Sequence, residues 1–326
     1  MHLTDYITVF NNILKNFSYL KSDFIGIRFN ADIFINFIAN IFIATLLIII
    51  YFQIGRKIKV CFFENIGTKI LNNFISVALG YILVNSGLAL LSIFSLLYPV
   101  ILWTYIGAVV VFAFYPLSKA KNLKNEIIEL LNLIKDKIKN NKLICLGVLL
   151  FVVIAFLRLI PPEIGEDAVG YHTGDPHLFL RNHTSIILSE TQYVTMPAPH
   201  LGESSYVISE LVGIKDSTRY IHFSFYFLAV LLLTIINPYS ALFFVTAPVV
   251  IQISSKANVD FQWILCWLLS ILILTQSGTK IKKNIALIGI LFGGVIASKL
   301  WTIAFFPIFI LYILIIYRKS KAVYYL

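Results

Sequence analysis

Charge is scarce in this chain. Of 326 residues, 13% are Asp, Glu, Lys or Arg and 59% are hydrophobic, whereas soluble domains are about a quarter charged. That balance excludes a soluble globular domain. Cysteine is scarce as well. Cys61, Cys145 and Cys266 lie inside or near apolar runs, so no disulfide framework is expected. Metal-ligand patterns are missing: there is no His-Glu-x-x-His, no Cys pair and no Asp-x-Asp. His172 and His177, five residues apart on a helix, would not share a face. No divalent metal or other cofactor is expected. The opening MHLTDYITVFNNILKNFSYL lacks the charged start, clean apolar run and small-residue cleavage site of a secretory signal. Its apolar spacing is that of an interfacial amphipathic helix.

What the chain does have is apolar runs of about 18 to 22 residues, long enough for a hydrocarbon core of roughly 30 Å. They predict an all-α, polytopic membrane fold of nine spans: 33–54, 70–93, 96–117, 142–160, 219–236, 240–254, 258–276, 284–298 and 300–317. The sixth and eighth are short, which suits a tilted, broken or partly re-entrant segment. The net charge of +10 sits in short clusters at the ends of apolar runs, so it reads as a topology signal and not as a nucleic-acid surface. Those clusters are Arg56, Lys57, Lys59 and Lys69; Lys119 to Lys142; Lys280, Lys282 and Lys283; and Arg318, Lys319 and Lys321. With nine spans all four fall on one side, expected to be the cytoplasm. The segment 161–218 is then an outer loop, and 1–32 is outside too. Three units are expected: a three-span module at 1–118, a basic amphipathic cytoplasmic helix at 119–141, and a membrane module at 142–326 that carries the outer loop. The expected setting is an integral protein of a bacterial inner membrane.

Polar chemistry concentrates in that loop. Five of the six histidines lie in or beside it: His172, His177, His183, His200 and His222. So do Glu163, Glu166, Asp167, Asp175, Glu190, Glu203 and Glu210. Asp167 follows a helix exit sealed by Pro161 and Pro162, which places it near the membrane interface. A carboxylate there can act as general base on a sugar hydroxyl. It can equally cap a short helix at Ala168–His172, and the two roles are compatible.

The order is a span, a carboxylate, Tyr-His, an amphipathic stretch, then PAPHLGE and further spans. It resembles the first outer loop of the GT-C superfamily of polytopic glycosyltransferases. The nearest types are the bacterial protein mannosyltransferase and aminoarabinose transferase types, which use polyprenyl-phosphate-linked sugars. Relatives commonly read Asp-x-x-x-Tyr-His-Leu-Pro. This chain keeps Asp167, Tyr171 and His172 but has Thr173 and Gly174 in the last two places. KANVDFQWILCWLLSILIL resembles the family span that opens with an Asp, here Asp260, and GILFGGVIASKLWTIAFFP its small-residue span followed by Lys, here Lys299. The resemblance covers about 142–317. The chain ends soon after its last span, whereas GT-C enzymes often carry more spans and a C-terminal domain, which implies a truncated or split enzyme.

The resemblance implies transfer of a sugar, with inversion, from a polyprenyl-phosphate donor to a glycan, lipid or protein acceptor at the outer face. It implies Asp167 as catalytic carboxylate with Glu166 beside it. Tyr171, His172, Asp175, Asp260, Lys299 and Arg158 are the expected substrate-binding residues, with Lys299 or an Arg meeting the donor phosphate. Simpler readings stand beside these: Lys299 snorkelling to the interface, Asp260 capping its helix, and Arg158, Arg181 and Arg219 anchoring at the interface. Two other functions also fit the chain. One is a transporter or flippase of a lipid-linked or anionic solute, although polar residues deep in spans are few: Asn85, Gln252 and Gln262. The other is a noncatalytic membrane scaffold.

Overall fold

The computed structural model describes residues 31–63, 65–115, 123–161, 172–185, 201–214, 216–277 and 281–317. Every regular element among them is helical. Helices α1 (Ala31–Phe62) and α2 (Lys69–Ile93) form the most extensive helix pair. Two glycines set how close they come. A Cβ at Gly55 would run into the Ser76 carbonyl, and one at Gly80 into the Tyr51 carbonyl. Hydrogen at those positions lets the backbones touch, which is how helices associate where solvent offers no hydrophobic drive. Thr68 starts α2 by accepting the Leu71 N–H at 3.2 Å.

Helix α3 (Pro99–Phe114) opens on a proline that costs it no hydrogen bond. The amphipathic α4 (Leu123–Asn140) meets α5 (Lys142–Leu157) at a sharp elbow, with a bend of 116°. Two short helices follow, α6 (Gly174–Asn182) and α7 (Leu201–Val212), then α8 (Ser217–Ile236). The next apolar stretch is broken into α9 (Pro238–Thr246) and α10 (Pro248–Ser254). Pro248 has no N–H to continue the ladder and disfavours helical backbone at Ala247, which is extended with ψ of 122°. Last come α11 (Asp260–Ser277), α12 (Ile281–Ser298), a 3₁₀ stretch at Leu300–Phe305, and α13 (Phe306–Tyr317).

On length and apolarity, Phe34–Phe62, Lys69–Ile93 and Ser217–Ile236 can cross a membrane, with α4 and α5 together making a fourth at most. The nine spans expected from hydropathy are not supported by these criteria. The cause is helix length. α3 and α5 have 16 residues and α13 has 12. At 1.5 Å per residue, sixteen residues reach only about 24 Å, short of the roughly 30 Å hydrocarbon core. Apolar composition runs on past the points where Pro99, Asn141 and the 3₁₀ segment delimit the helices. The outer surface is nevertheless strongly apolar: Val100, Leu143 and Phe243 are each about four-fifths exposed, at 78%, 83% and 82%. Such a surface is costly in water and compatible with a bilayer.

Helices from both sides of residue 120 share one core. Phe225 of α8 packs against Tyr81 of α2 and Tyr51 of α1, with ring centroids 4.9 and 6.4 Å apart. The bundle has two chemically distinct ends. At one, Lys57 donates to the Phe112 and Tyr115 carbonyls that finish α3. There too, Lys69 lies 3.4 Å from Glu129 of α4, and Lys137 donates to the Ile236 carbonyl that finishes α8. We call this the basic end. At the other, the Leu97 N–H donates to the His183 carbonyl, the Thr184 hydroxyl donates to the Ser92 carbonyl, and the His183 ring stacks on Tyr98. These contacts fasten the stretch after α6 to the α2–α3 turn.

Candidate functional site

The second end gathers most of the described ionisable groups that the sequence singles out. Its anchor is His222, near the start of α8 and fully buried. Its Nδ1 lies 2.9 Å from the Lys256 carbonyl, and the Phe261 N–H donates to its Nε2 at 3.3 Å. The two partners fix the tautomer, with the proton on Nδ1. The imidazole thus bridges the loop before α11 to one of that helix's otherwise unpaired N–H groups. Asp260 in the first turn of α11 is positioned as a result.

Asp260 Oδ1 accepts from Lys299 Nζ at 2.7 Å and from Trp263 Nε1 at 3.1 Å. Lys299 follows the last residue of α12 with extended backbone, φ −154°. A carboxylate at the N-terminus of one helix and an ammonium at the C-terminus of the next each complement the local helix dipole. The Asp260 side chain is 12% exposed and that of Lys299 33%. The ammonium has three donors and the Asp260 contact uses one of them. Phe305 of the 3₁₀ segment stacks on Trp263 with centroids 6.3 Å apart, walling one side of the pair.

Helix α7 supplies the next layer. Gly202 lies against Val259, where a Cβ would collide with the valine side chain. Tyr206 donates to the Asn258 carbonyl and accepts from the Gln262 amide at 3.0 Å. Burial pushes the Tyr206 hydroxyl well above its ordinary ionisation range, so it remains a donor. Two histidine–carboxylate pairs link α6 and the residues before it to α7: His172 to Glu203 at 2.9 Å, and His177 to Glu210 at 2.7 Å. Glu203 and Glu210 are two turns apart and so share a face. The first pair is buried, while the His177 side chain is 56% exposed. His222 lies within electrostatic reach of Asp260, His172 and Lys299, which puts the Lys299–Asp260 and His172–Glu203 contacts in one neighbourhood.

Arg219 and Arg158 both donate to backbone carbonyls. Arg219 donates to the carbonyls of Ser255, Pro161 and Arg158 at 2.9, 2.5 and 2.8 Å, closing the ends of α5 and α10. Arg158 donates to the Ile251 carbonyl at 3.3 Å. Asp175 is buried in the first turn of α6. Among the described residues no group of three His, Cys, Asp or Glu side chains could hold a metal ion.

Of the expected site residues, Glu166, Asp167 and Tyr171 lie outside the described residues, as does Ala168, where the expected short helix starts. Asp260 and Lys299 are in contact, and His172 lies in their neighbourhood. In the sequence Glu203 is one of several loop carboxylates and Tyr206 carries no motif, yet the fold brings both to the site. His222, one of the histidines in or beside the loop, is a helix cap in the fold. The seven-residue spacing of Glu203 and Glu210 was the one available signal. No family model matches the chain, and no curated protein or solved structure matches it.

Chemically, this end offers a partly exposed ammonium held by a carboxylate and flanked by aromatic rings. Beside it is a histidine oriented by a buried carboxylate, an arrangement suited to proton transfer. A different set of polar groups runs toward the bundle interior. Tyr81 and Ser298 share a hydrogen bond of 3.0 Å, and Asn85 donates to the Tyr51 hydroxyl at 3.2 Å. The Asn85 and Gln262 side-chain oxygens and the Tyr226 hydroxyl meet no hydrogen-bond partner among the described residues.

Proposed function

We propose that the protein is a membrane glycosyltransferase that moves a sugar from a polyprenyl-phosphate donor to an acceptor at the outer face. The observation that carries the reading is the Lys299–Asp260–Trp263 cluster, at the same end of an apolar bundle as the acid- and histidine-rich segment. A lipid phosphate is a good leaving group when a cation meets its developing charge. Lys299 supplies that cation, and its partly exposed ammonium is open to a donor whose tail stays in the bilayer. Asp167, with Glu166 adjacent, takes the acceptor hydroxyl proton as that oxygen attacks the anomeric carbon. The bond to phosphate breaks on the opposite side, and configuration inverts. Tyr171, His172, Asp175 and Arg158 surround the sugar and acceptor. In this proposal the shorter helices also cross, giving nine traverses where the bilayer thins to match them. The basic end faces the cytoplasm of a bacterial inner membrane.

The test is sugar transfer from a polyprenyl-phosphate donor in nanodiscs, with donor affinity measured alongside. Asp167→Asn should lower turnover by roughly 10²- to 10⁴-fold with donor affinity nearly unchanged. Lys299→Ala should weaken both, because a phosphate contact acts in the ground state and the transition state. Full activity in Asp167→Asn removes the general-base role. A wild-type protein that binds no polyprenyl phosphate removes the whole reading.

A second reading, a transporter or flippase of a lipid-linked or anionic solute, is favoured by the interior oxygens of Asn85 and Gln262 and the Tyr226 hydroxyl. Buried polar groups in a membrane bundle commonly mark a solute path. Solute or lipid movement across proteoliposomes without any sugar transfer would select it.

A further inference from the structure

The elbow between α4 and α5 lies at the basic end, opposite the site above. Asn141 fixes its angle. Its backbone N–H donates to the Lys137 and Ile138 carbonyls at 3.0 and 3.3 Å, and its side-chain amide donates to Lys137 O at 3.4 Å. Lys137 in turn donates to the Ile236 carbonyl that finishes α8. The amphipathic α4 therefore turns steeply away from α5, with a bend of 116°. An amphipathic helix turned steeply away from an apolar segment long enough to enter a membrane is suited to the interface.

The faces of the two helices are informative. On α4, Leu130 and Leu133 pack against the core, while Leu131 and Ile138, on an adjoining face, are exposed at 58% and 46%. On α5, Leu143, Leu146, Leu150 and Val153 form one exposed stripe at helical spacing. Lys142 lies at the end of that same stripe, and both it and Lys139 across the elbow are exposed. An apolar stripe that leads into two ammonium groups matches one kind of molecule, with an acyl chain attached to a negative headgroup.

We infer that the α4–α5 elbow is a binding site for an anionic phospholipid of the leaflet at the basic end. The acyl chain lies along Leu143, Leu146 and Leu150, and the headgroup lies between Lys139 and Lys142. Lys135, also exposed and one helical turn from Lys139, strengthens the preference for negative charge. The site does not depend on the proposed transferase activity.

The full-length protein in phosphatidylcholine nanodiscs, doped with spin-labelled phosphatidylglycerol or spin-labelled phosphatidylcholine, tests this. Motionally restricted lipid should show a preference for phosphatidylglycerol, about fivefold per basic residue at the surface before salt screening. The double variant Lys139→Gln/Lys142→Gln should lose most of that preference, and Lys256→Gln near the other end should keep it. Leu146→Glu, on the stripe, should reduce restricted lipid of both kinds. Inorganic phosphate at millimolar concentration should not compete, because it has no chain to bury. Equal restriction of the two lipids in wild type overturns the inference. So does a preference that survives the double variant, and so does displacement by inorganic phosphate alone.

Discussion

The Asp260–Lys299 contact makes a quantitative prediction through a double-mutant cycle. Asp260→Asn keeps a side-chain oxygen that can accept from Trp263 Nε1, but it removes the charge that holds Lys299. Lys299→Gln keeps length and polarity and leaves the Asp260 carboxylate, 12% exposed, without its cation. Removing one partner of a fully buried pair costs about 3–5 kcal/mol. Lys299 is 33% exposed, so its charge is partly hydrated once the partner is gone, and the expected cost of each single change falls to about 1–3 kcal/mol. The double variant leaves neither charge stranded. It should therefore cost clearly less than the sum of the singles, with a coupling of about 1 kcal/mol or more, as expected for residues in contact. The assay is unfolding in mixed micelles, read as tryptophan emission, to which Trp263 at the site contributes alongside Trp103, Trp267 and Trp301. Donor affinity is read separately on the same four proteins. If the single changes add within about 0.3–0.5 kcal/mol, the pair is not an energetic unit and the geometry assigned to Asp260 is wrong. If coupling appears in stability while donor affinity does not respond to Lys299→Gln, the pair holds helix ends together and the phosphate role fails.

Three further outcomes follow from other parts of the bundle. Gly80→Ala should destabilise by about 1–3 kcal/mol through overpacking against the Tyr51 carbonyl, despite alanine's better helix propensity. Gly107→Ala, with nothing within 4 Å of the added methyl, should be neutral or stabilising by up to about 1 kcal/mol; thermal unfolding of both variants checks the contrast. His222→Ala removes a donor to Lys256 and an acceptor for the Phe261 N–H, each unmatched buried group costing about 1–3 kcal/mol. It should loosen the start of α11, read as faster amide exchange at Phe261, and unchanged protection would remove the capping role. Cys61 is exposed, while Cys145 and Cys266 are buried. In right-side-out vesicles an impermeant maleimide should leave Cys61 unlabelled until the membrane is opened, while Arg181→Cys at the other end reacts at once; the reverse pattern inverts the proposed orientation.

How much of this was legible in the sequence depended on the range of the interaction. Helical, apolar character was readable from local composition, and the break at Pro248 from the missing N–H of one residue. Span number was not, because hydropathy counts apolar side chains, whereas a crossing needs helix length. Tyr98–Pro99 and the elbow at Asn141 cut length without changing apolarity. At the site, Asp260 and Lys299 are marked in the sequence by the resemblance of their two spans to those of the GT-C superfamily, which implies one shared outer-face site but no direct contact. Their contact across 39 positions (299 − 260) is a property of how α11 and α12 pair. The residues read least well were those whose partners are backbone atoms. Arg219, His222 and Tyr206 satisfy carbonyls and an N–H at helix ends, and a main-chain group left open by a break or a turn leaves no mark in the sequence. In an apolar medium such groups must be satisfied from within the protein. A lone Arg, His or Tyr at the mouth of a membrane bundle is then as readily a cap for a neighbouring helix as a ligand for substrate. That ambiguity is why Lys299 is the sharper test of function here: it is held by a side chain, Asp260, and a third of its own side chain remains exposed to meet a phosphate.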